Sequence, residues 1–299
     1  MWPSARPCDC LMTKIVERYA ESTNRVLFVC DFSPPRGSDP GLLAPAGRLD
    51  ADFISVAYNP GKSTRVNPVA AAHWIKTNLG KEVVFTLATR DMNKVAVQSL
   101  LLGAELLGLE NVVIVGGDAL SRREMSLLKA VADYTPTGLL RAVGEMNRGI
   151  DYKGLKLRAP TDLCVGATFD LSKDMGCELN LTRRKVEAGA QFFMSQPTFD
   201  PALPSEFMQR YADQHGEELS VPVFHGVQVM APDSLVFGQV PGWVTADLDR
   251  GRRGSDIAVQ VLREFEEAGI RSVYLVAPVI KGGRRDYDAA QATLEAFRG

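Results

Sequence analysis

The chain shows no excess of either charge: across 299 residues, 34 Lys+Arg face 36 Asp+Glu, a formal net charge of -2. That balance removes the bulk electrostatic reason to expect nucleic acid or an anionic membrane as partner. Long apolar runs are missing too; none approaches the roughly 20 residues a spanning helix needs. The opening MWPSARPCDCLMTK lacks the apolar stretch of a secretory signal. The five cysteines (Cys8, Cys10, Cys30, Cys164 and Cys177) are an odd number at irregular spacing. They argue against a disulfide framework and for a reducing cytoplasm. His73, His215 and His225, the only three histidines, fall at no metal-ligand spacing, so no bound metal is expected. Absent as well are a GxGxxG after an early strand, a GxSxG elbow, a P-loop and an EF-hand loop.

What is present is a 45% hydrophobic composition, enough for a sizeable core, and a regular alternation. Runs rich in Val, Ile and Phe lie at Val26–Phe32, Phe53–Tyr58, Val83–Ala88, Val112–Val115, Leu163–Thr168, Phe192–Ser195, Val221–Val227 and Val273–Ala277. Several are apolar nearly throughout, as parallel strands covered on both faces require. Cys30 and Cys164 fall inside such runs and read as buried free thiols. Between the runs lie segments of helical spacing: Met92–Leu107 with Asp91 as cap, Leu179–Ala188 and Ile257–Ala268, the last two ending in Ala-Gly before the next strand. Eight strands each followed by a helix predict an α/β fold, a single (β/α)8 TIM barrel; an open doubly wound sheet is the alternative. Residues 1–24 read as a tail and leading helix, with Met1–Leu11 disordered, and 25–299 as the barrel domain. Arg141–Pro160 reads as an elaborated polar connection between strands four and five.

In a barrel the chemistry collects where strands end and loops begin on the C-terminal face. In order, those ends carry Asp31 before FSPPRG, Tyr58-Asn59-Pro60, Thr89-Arg90-Asp91, Gly116-Gly117-Asp118, Thr168-Phe169-Asp170, Gln196, Gln228, and KGGRR at Lys281–Arg285. Each has a plainer reading. Asp31 can cap the turn before Pro34-Pro35, Asp91 a helix, and Asp118 a tight turn, although paired glycines also admit a ligand close to backbone N–H groups. Gln196 suits the edge of an amide-like heterocycle or a loop cap. The Lys281–Arg285 run is either a phosphate site or a solvated basic loop.

The segments DFSPPRG, DFISVAYNPG, TLATRDMNKVAVQSLLLGAELLGLENVVIVGGD and TRRKVEAGAQFFMSQPTFD, in that order, resemble the methylenetetrahydrofolate reductase family. The NRGIDYKG connection and the YLVAPVIKGGRRDYDAA ending resemble its compact bacterial form. The resemblance implies a flavin-dependent barrel oxidoreductase that carries hydride from NAD(P)H through FAD to 5,10-methylenetetrahydrofolate. It implies Asp31 as the acid that opens the methylene bridge, Asp118 beside flavin and folate, and Gln196 on the pterin with Gln228 assisting. Arg184 and Lys185 would hold the ribityl and phosphate portion, and Tyr58, Thr86, Thr89, Gly116, Gly117 and Thr168 complete the cofactor set. The chain departs from the family at Asp31 (usually Glu), Ala57 (usually Thr), Thr86 (usually His) and Gly116 (usually Arg). FMN, or no flavin, therefore stays open beside FAD. So do the oxidative direction, a non-catalytic folate- or flavin-binding role, a homo-oligomer and an electron-transfer partner.

Overall fold

The computed structural model describes residues 13–22, 25–131, 133–280 and 283–299; the tail expected at Met1–Leu11 lies outside them. Eight strands close into a parallel barrel in sequence order: β1 (Leu27–Phe32), β2 (Phe53–Val56), β3 (Val83–Ala88), β4 (Asn111–Val115), β5 (Cys164–Phe169), β6 (Phe192–Pro197), β7 (Val223–Gln228) and β8 (Ser272–Val276), with β8 pairing back onto β1. All eight coincide with the apolar runs, because a strand covered by helices outside and by the lumen inside has no wet face.

Two sets of side chains fill the molecule. Val29, Phe53, Val84, Val113, Cys164, Phe192, Met194 and Phe224 pack inside the barrel. The alternate residues, among them Phe28, Cys30, Ile54, Phe85 and Phe193, meet the helices outside. The inner layer is tight: a Cβ on Gly166 would lie 2.4 Å from the Phe192 ring, so only glycine fits opposite that aromatic. Both Cys30 and Cys164 are buried, and burial raises their thiol pKa values, that of Cys164 to about 12. The leading helix (Ile15–Glu21) plugs the N-terminal end of the barrel, with Ile15 fully buried and its N–H donating to Asn111 Oδ1 at 2.9 Å.

The helices follow the expected spacing with two corrections. The helix after β3 runs Lys94–Leu106 and is capped by Asn93, whose Oδ1 accepts from Ala96 N at 2.9 Å. Asp91 is instead held by Arg90 through two 2.6 Å hydrogen bonds. The polar connection at Arg141–Pro160 opens inside a true helix, Pro136–Asn147, with Thr135 as N-cap and Pro136 in its first turn. Its buried face, Leu139, Leu140, Val143 and Met146, has helical periodicity that the Gly-containing, polar remainder obscures. The Ala-Gly endings behave as read: Gly189 and Gly269 have φ of +99° and +83°, which closes each helix before the next strand.

On β7, His225 is buried and its Nδ1 has no hydrogen-bond partner. Burial favours the neutral ring and pulls its pKa down to about 4. The unfolded chain takes up this proton near pH 6.5. Stability should therefore fall as pH drops from about 6.5 toward 4, by about 3 kcal/mol in total, and level off below. Urea unfolding of His225→Leu is expected to show that much less acid sensitivity than the parent between pH 6.5 and 4. Equal slopes would sink this account.

Candidate active site at the barrel mouth

Strand side chains alternate between the lumen and the helices. The lumen set that includes Val29, Val84, Cys164 and Tyr274 therefore continues upward to Asp31, Thr86 and Thr168. Thr86, Val115, Thr168 and Tyr274 all keep exposed surface although they point inward, so a polar well opens at the C-terminal end. Gln196 stands at its rim, exposed. The β6–β7 register slips between Met194 and Pro197, and such a bulge re-aims the side chain it carries. Gly226 makes room for it, since a Cβ there would lie 2.6 Å from Pro197 N and Ser195 O. Ser195 Oγ secures the slip, donating to Gln196 O at 3.0 Å and accepting from Gly226 N at 2.9 Å.

From this well, cavities follow the rim in an arc. One of about 570 Å³ spans the ends of β4, β5 and β6 and gathers Gly116, Thr168, Arg184, Lys185 and Gln196, five of the residues singled out in the sequence. Arg141, Lys173, Asp170 and Glu178 also line it. Lys185 is buried and donates to Thr168 O at 2.5 Å; burial lowers its pKa, and the nearby Lys173 and Arg184 charges add to that. Arg141 and Arg184 are exposed and form no ion pair among the described residues. They remain the cations free to meet a ligand.

A second cavity of about 530 Å³ holds Gly117 and Asp118 with Arg90, Leu120, Met125 and Leu128. A third of about 340 Å³ holds Tyr58 with Lys62, Arg65, Arg90 and Asp91. Arg90 ties them together: clamped by Asp91, it donates to Asp118 O at 2.9 Å. This fixes the Gly117-Asp118 turn, while the Asp118 carboxylate is exposed and has no hydrogen bond or ion pair among the described residues. Burial and then the Asp91 charge raise the Tyr58 phenol pKa. Thr89 is buried beneath.

Two sequence candidates are engaged elsewhere. Gln228 is fully buried; its Nε2 donates to Leu235 O at 2.7 Å and its Oε1 accepts from Phe237 N at 3.0 Å, so it braces the loop after β7. Asp31 is 3% exposed, and both of its oxygens accept: Oδ2 from Arg285 Nε at 2.7 Å, Oδ1 from the Tyr274 hydroxyl at 3.1 Å. It caps no turn. Arg285 belongs to the basic run, of which residues 281 and 282 lie outside the described set. It is neither a phosphate ligand nor solvated but buried against Asp31. It arrives there on a short hairpin, Val279–Ile280 with Arg284–Arg285, and Tyr287 anchors the following helix by stacking on Phe32 and accepting from Ser33 N at 2.8 Å. Sequence reasoning missed Tyr274 as a site residue, although its inward position on β8, with a polar tip among apolar neighbours, was readable.

The family model for methylenetetrahydrofolate reductase matches residues 15–275. The chain belongs to that family. No curated protein matches its sequence significantly. Among solved structures, one similar to it is an uncharacterized protein from Clostridium thermocellum that binds two copies of 5-methyl-5,6,7,8-tetrahydrofolic acid, at 13% identity, TM-score 0.64, covering 95% of this chain and 99% of that one. Another is a long-chain alkane monooxygenase, LadA, at 9% identity, TM-score 0.52 and 92% of each chain. At such identities the likeness is one of fold.

Proposed function

We propose that this chain reduces 5,10-methylenetetrahydrofolate to 5-methyltetrahydrofolate with electrons from NAD(P)H. The observation that carries the reading is the continuity of a polar well, headed by Gln196, with an arc of cavities bearing the unpaired guanidiniums of Arg141 and Arg184. The well suits a pterin ring, and the arc an extended ligand with phosphates. Family membership supports the reaction, and the methyltetrahydrofolate bound by the Clostridium thermocellum protein supports the substrate class.

The family usually employs FAD, and the donor set around the larger cavity fits its phosphate-bearing end. Arg184, Arg141, Thr168 and the Gly116–Gly117 backbone would hold it, with Tyr58 farther along the arc. When bound, it supplies hydride to the bridging carbon of the folate. Gln196 orients the pterin through its donor-acceptor amide. Asp118, fixed at its backbone by Arg90 and open to solvent, passes a proton taken from solvent to N10. The N10–carbon bond then opens with its electron pair on N10, and the cationic N5=CH2 iminium is left beside the Asp118 carboxylate. Asp31 is not placed for that proton transfer, because Arg285 and Tyr274 occupy both its oxygens.

A second reading, direct hydride transfer from NAD(P)H, is favoured by Ala57 and Gly116, which offer no side-chain hydrogen bond at two strand ends. FAD and NAD(P)H share the phosphate chemistry of the cavity, so Arg184→Gln with Arg141→Gln is expected to raise the KM for the dinucleotide roughly tenfold. One experiment tests both readings: the visible spectrum of the purified protein, followed by anaerobic NADH and then 5,10-methylenetetrahydrofolate. A flavin band bleached by NADH and restored by folate supports FAD. Folate-dependent NADH oxidation by a colourless protein supports direct transfer. No turnover in either form removes the reductase reading.

A further inference from the structure

Tyr274 and Asp31 form a pair whose polarity is set from behind. Val29 and Tyr274 are register partners on β1 and β8, so the Tyr274 ring starts one lumen layer below Asp31 and rises along the well to reach Asp31 Oδ1 at 3.1 Å. Asp31 itself is sealed, and Arg285 is 7% exposed at its side chain. Tyr274, which points inward from β8, is half-buried. Arg285 has donors only. By pairing with Oδ2 it keeps Asp31 an acceptor, and the single phenolic proton is drawn toward Oδ1. The Tyr274 oxygen therefore turns lone pairs, not a proton, toward whatever fills the well. Burial and then the Asp31 charge raise its pKa, so it stays a neutral phenol.

We propose that Tyr274 is a specificity-determining residue that accepts a hydrogen bond from N8–H of a reduced pterin and thereby selects tetrahydrofolates over folic acid. The assignment rests on the folate reading above. A 5,10-bridged tetrahydropterin has its N3–H and 2-amino donors along one edge, which matches a donor-acceptor amide such as Gln196. Its N8–H stands alone and matches a single acceptor. In folic acid N8 has no proton and is itself an acceptor, so it meets the Tyr274 lone pairs unfavourably. Sites built around a ligand N–H reject analogues lacking it, because a buried polar group is left unpaired. Asp31 and Arg285 act through Tyr274 as positioning residues.

The test is titration calorimetry of 5-methyltetrahydrofolate and folic acid against the parent protein, Tyr274→Phe and Asp31→Asn. Circular dichroism checks that each variant is folded; phenylalanine keeps the ring that packs in the lumen. The parent is expected to bind the reduced folate at least about tenfold more tightly. Tyr274→Phe should lose about tenfold on the reduced ligand and leave folic acid within about twofold. In Asp31→Asn, Arg285 retains the amide oxygen, the amide NH₂ faces Tyr274, and the phenolic proton turns into the well. The preference should then shrink or reverse, which a merely structural role for Asp31 would not produce. Selectivity that survives Tyr274→Phe, or equal losses on both ligands, overturns the assignment alone. Failure of the parent to bind either folate overturns the folate reading and the assignment with it.

Discussion

Asp118→Asn is expected to lower folate reduction by about a hundredfold to ten-thousandfold, the usual range for losing a positioned proton donor. The side chain keeps its size, and the Arg90 bond to its carbonyl, made at 2.9 Å, is untouched. The turn should therefore stay in place and only the proton and the negative charge are lost. Oxidation of NADH by an artificial acceptor should be nearly unchanged, since that half of the chemistry needs neither. Asp118→Glu should recover part of the loss, limited by the angstrom-scale misplacement an added methylene causes. Stopped-flow measurement of the two half-reactions separates these effects. If folate reduction survives at the parent rate, the proton comes from elsewhere and Asp118 is a turn residue.

The second large effect is on stability. In Arg285→Met the methionine fills most of the space of the arginine stem, but Asp31 is left buried beside Tyr274 without its cation. Breaking a buried ion pair in this way costs about 3–5 kcal/mol, which lowers the melting temperature by roughly ten degrees in a domain of this size. The double variant Asp31→Leu, Arg285→Met removes both charges and should regain most of that loss, a non-additivity expected of contacting residues. Scanning calorimetry of the three proteins decides the matter. A single variant within about 1 kcal/mol of the parent would mean that solvent reaches Asp31 and the pair is weak.

The fold was readable because its determinants are local. Each strand announced itself as an apolar run, and two of the αβ joints as Ala-Gly endings whose glycines, Gly189 and Gly269, take up positive φ. The helix at Pro136–Asn147 was less readable, since Thr135, Pro136 and the buried Leu139, Leu140, Val143 and Met146 were outweighed by the polar stretch that follows. Asp91 was misread for a comparable reason: Asp and Asn both cap helices well, and nothing local said that Arg90 would claim Asp91 and leave Asn93 as the cap.

The candidate site divides the same way. Thr168, Gln196 and Gly116 could be named from the sequence, because a barrel brings its strand ends to one rim whatever the details; Arg184, on the helix after β5, was named only through the family resemblance. The partners of Asp31 could not. Arg285 lies 254 positions away and Tyr274 lies 243, and they meet Asp31 only because β8 closes onto β1 and a hairpin then folds over the seam. The fate of Gln228 turned likewise on the path of one loop, at Leu235 and Phe237. By itself the sequence determined the strands, the helices, the barrel they build and the face that carries chemistry, since these follow from periodicity and chain geometry over tens of residues. Which acid is free and which is held, and which side chain faces the well, were decided only in the tertiary structure. Protonation and hydrogen-bond direction depend on burial and on partners that the closure of the barrel supplies.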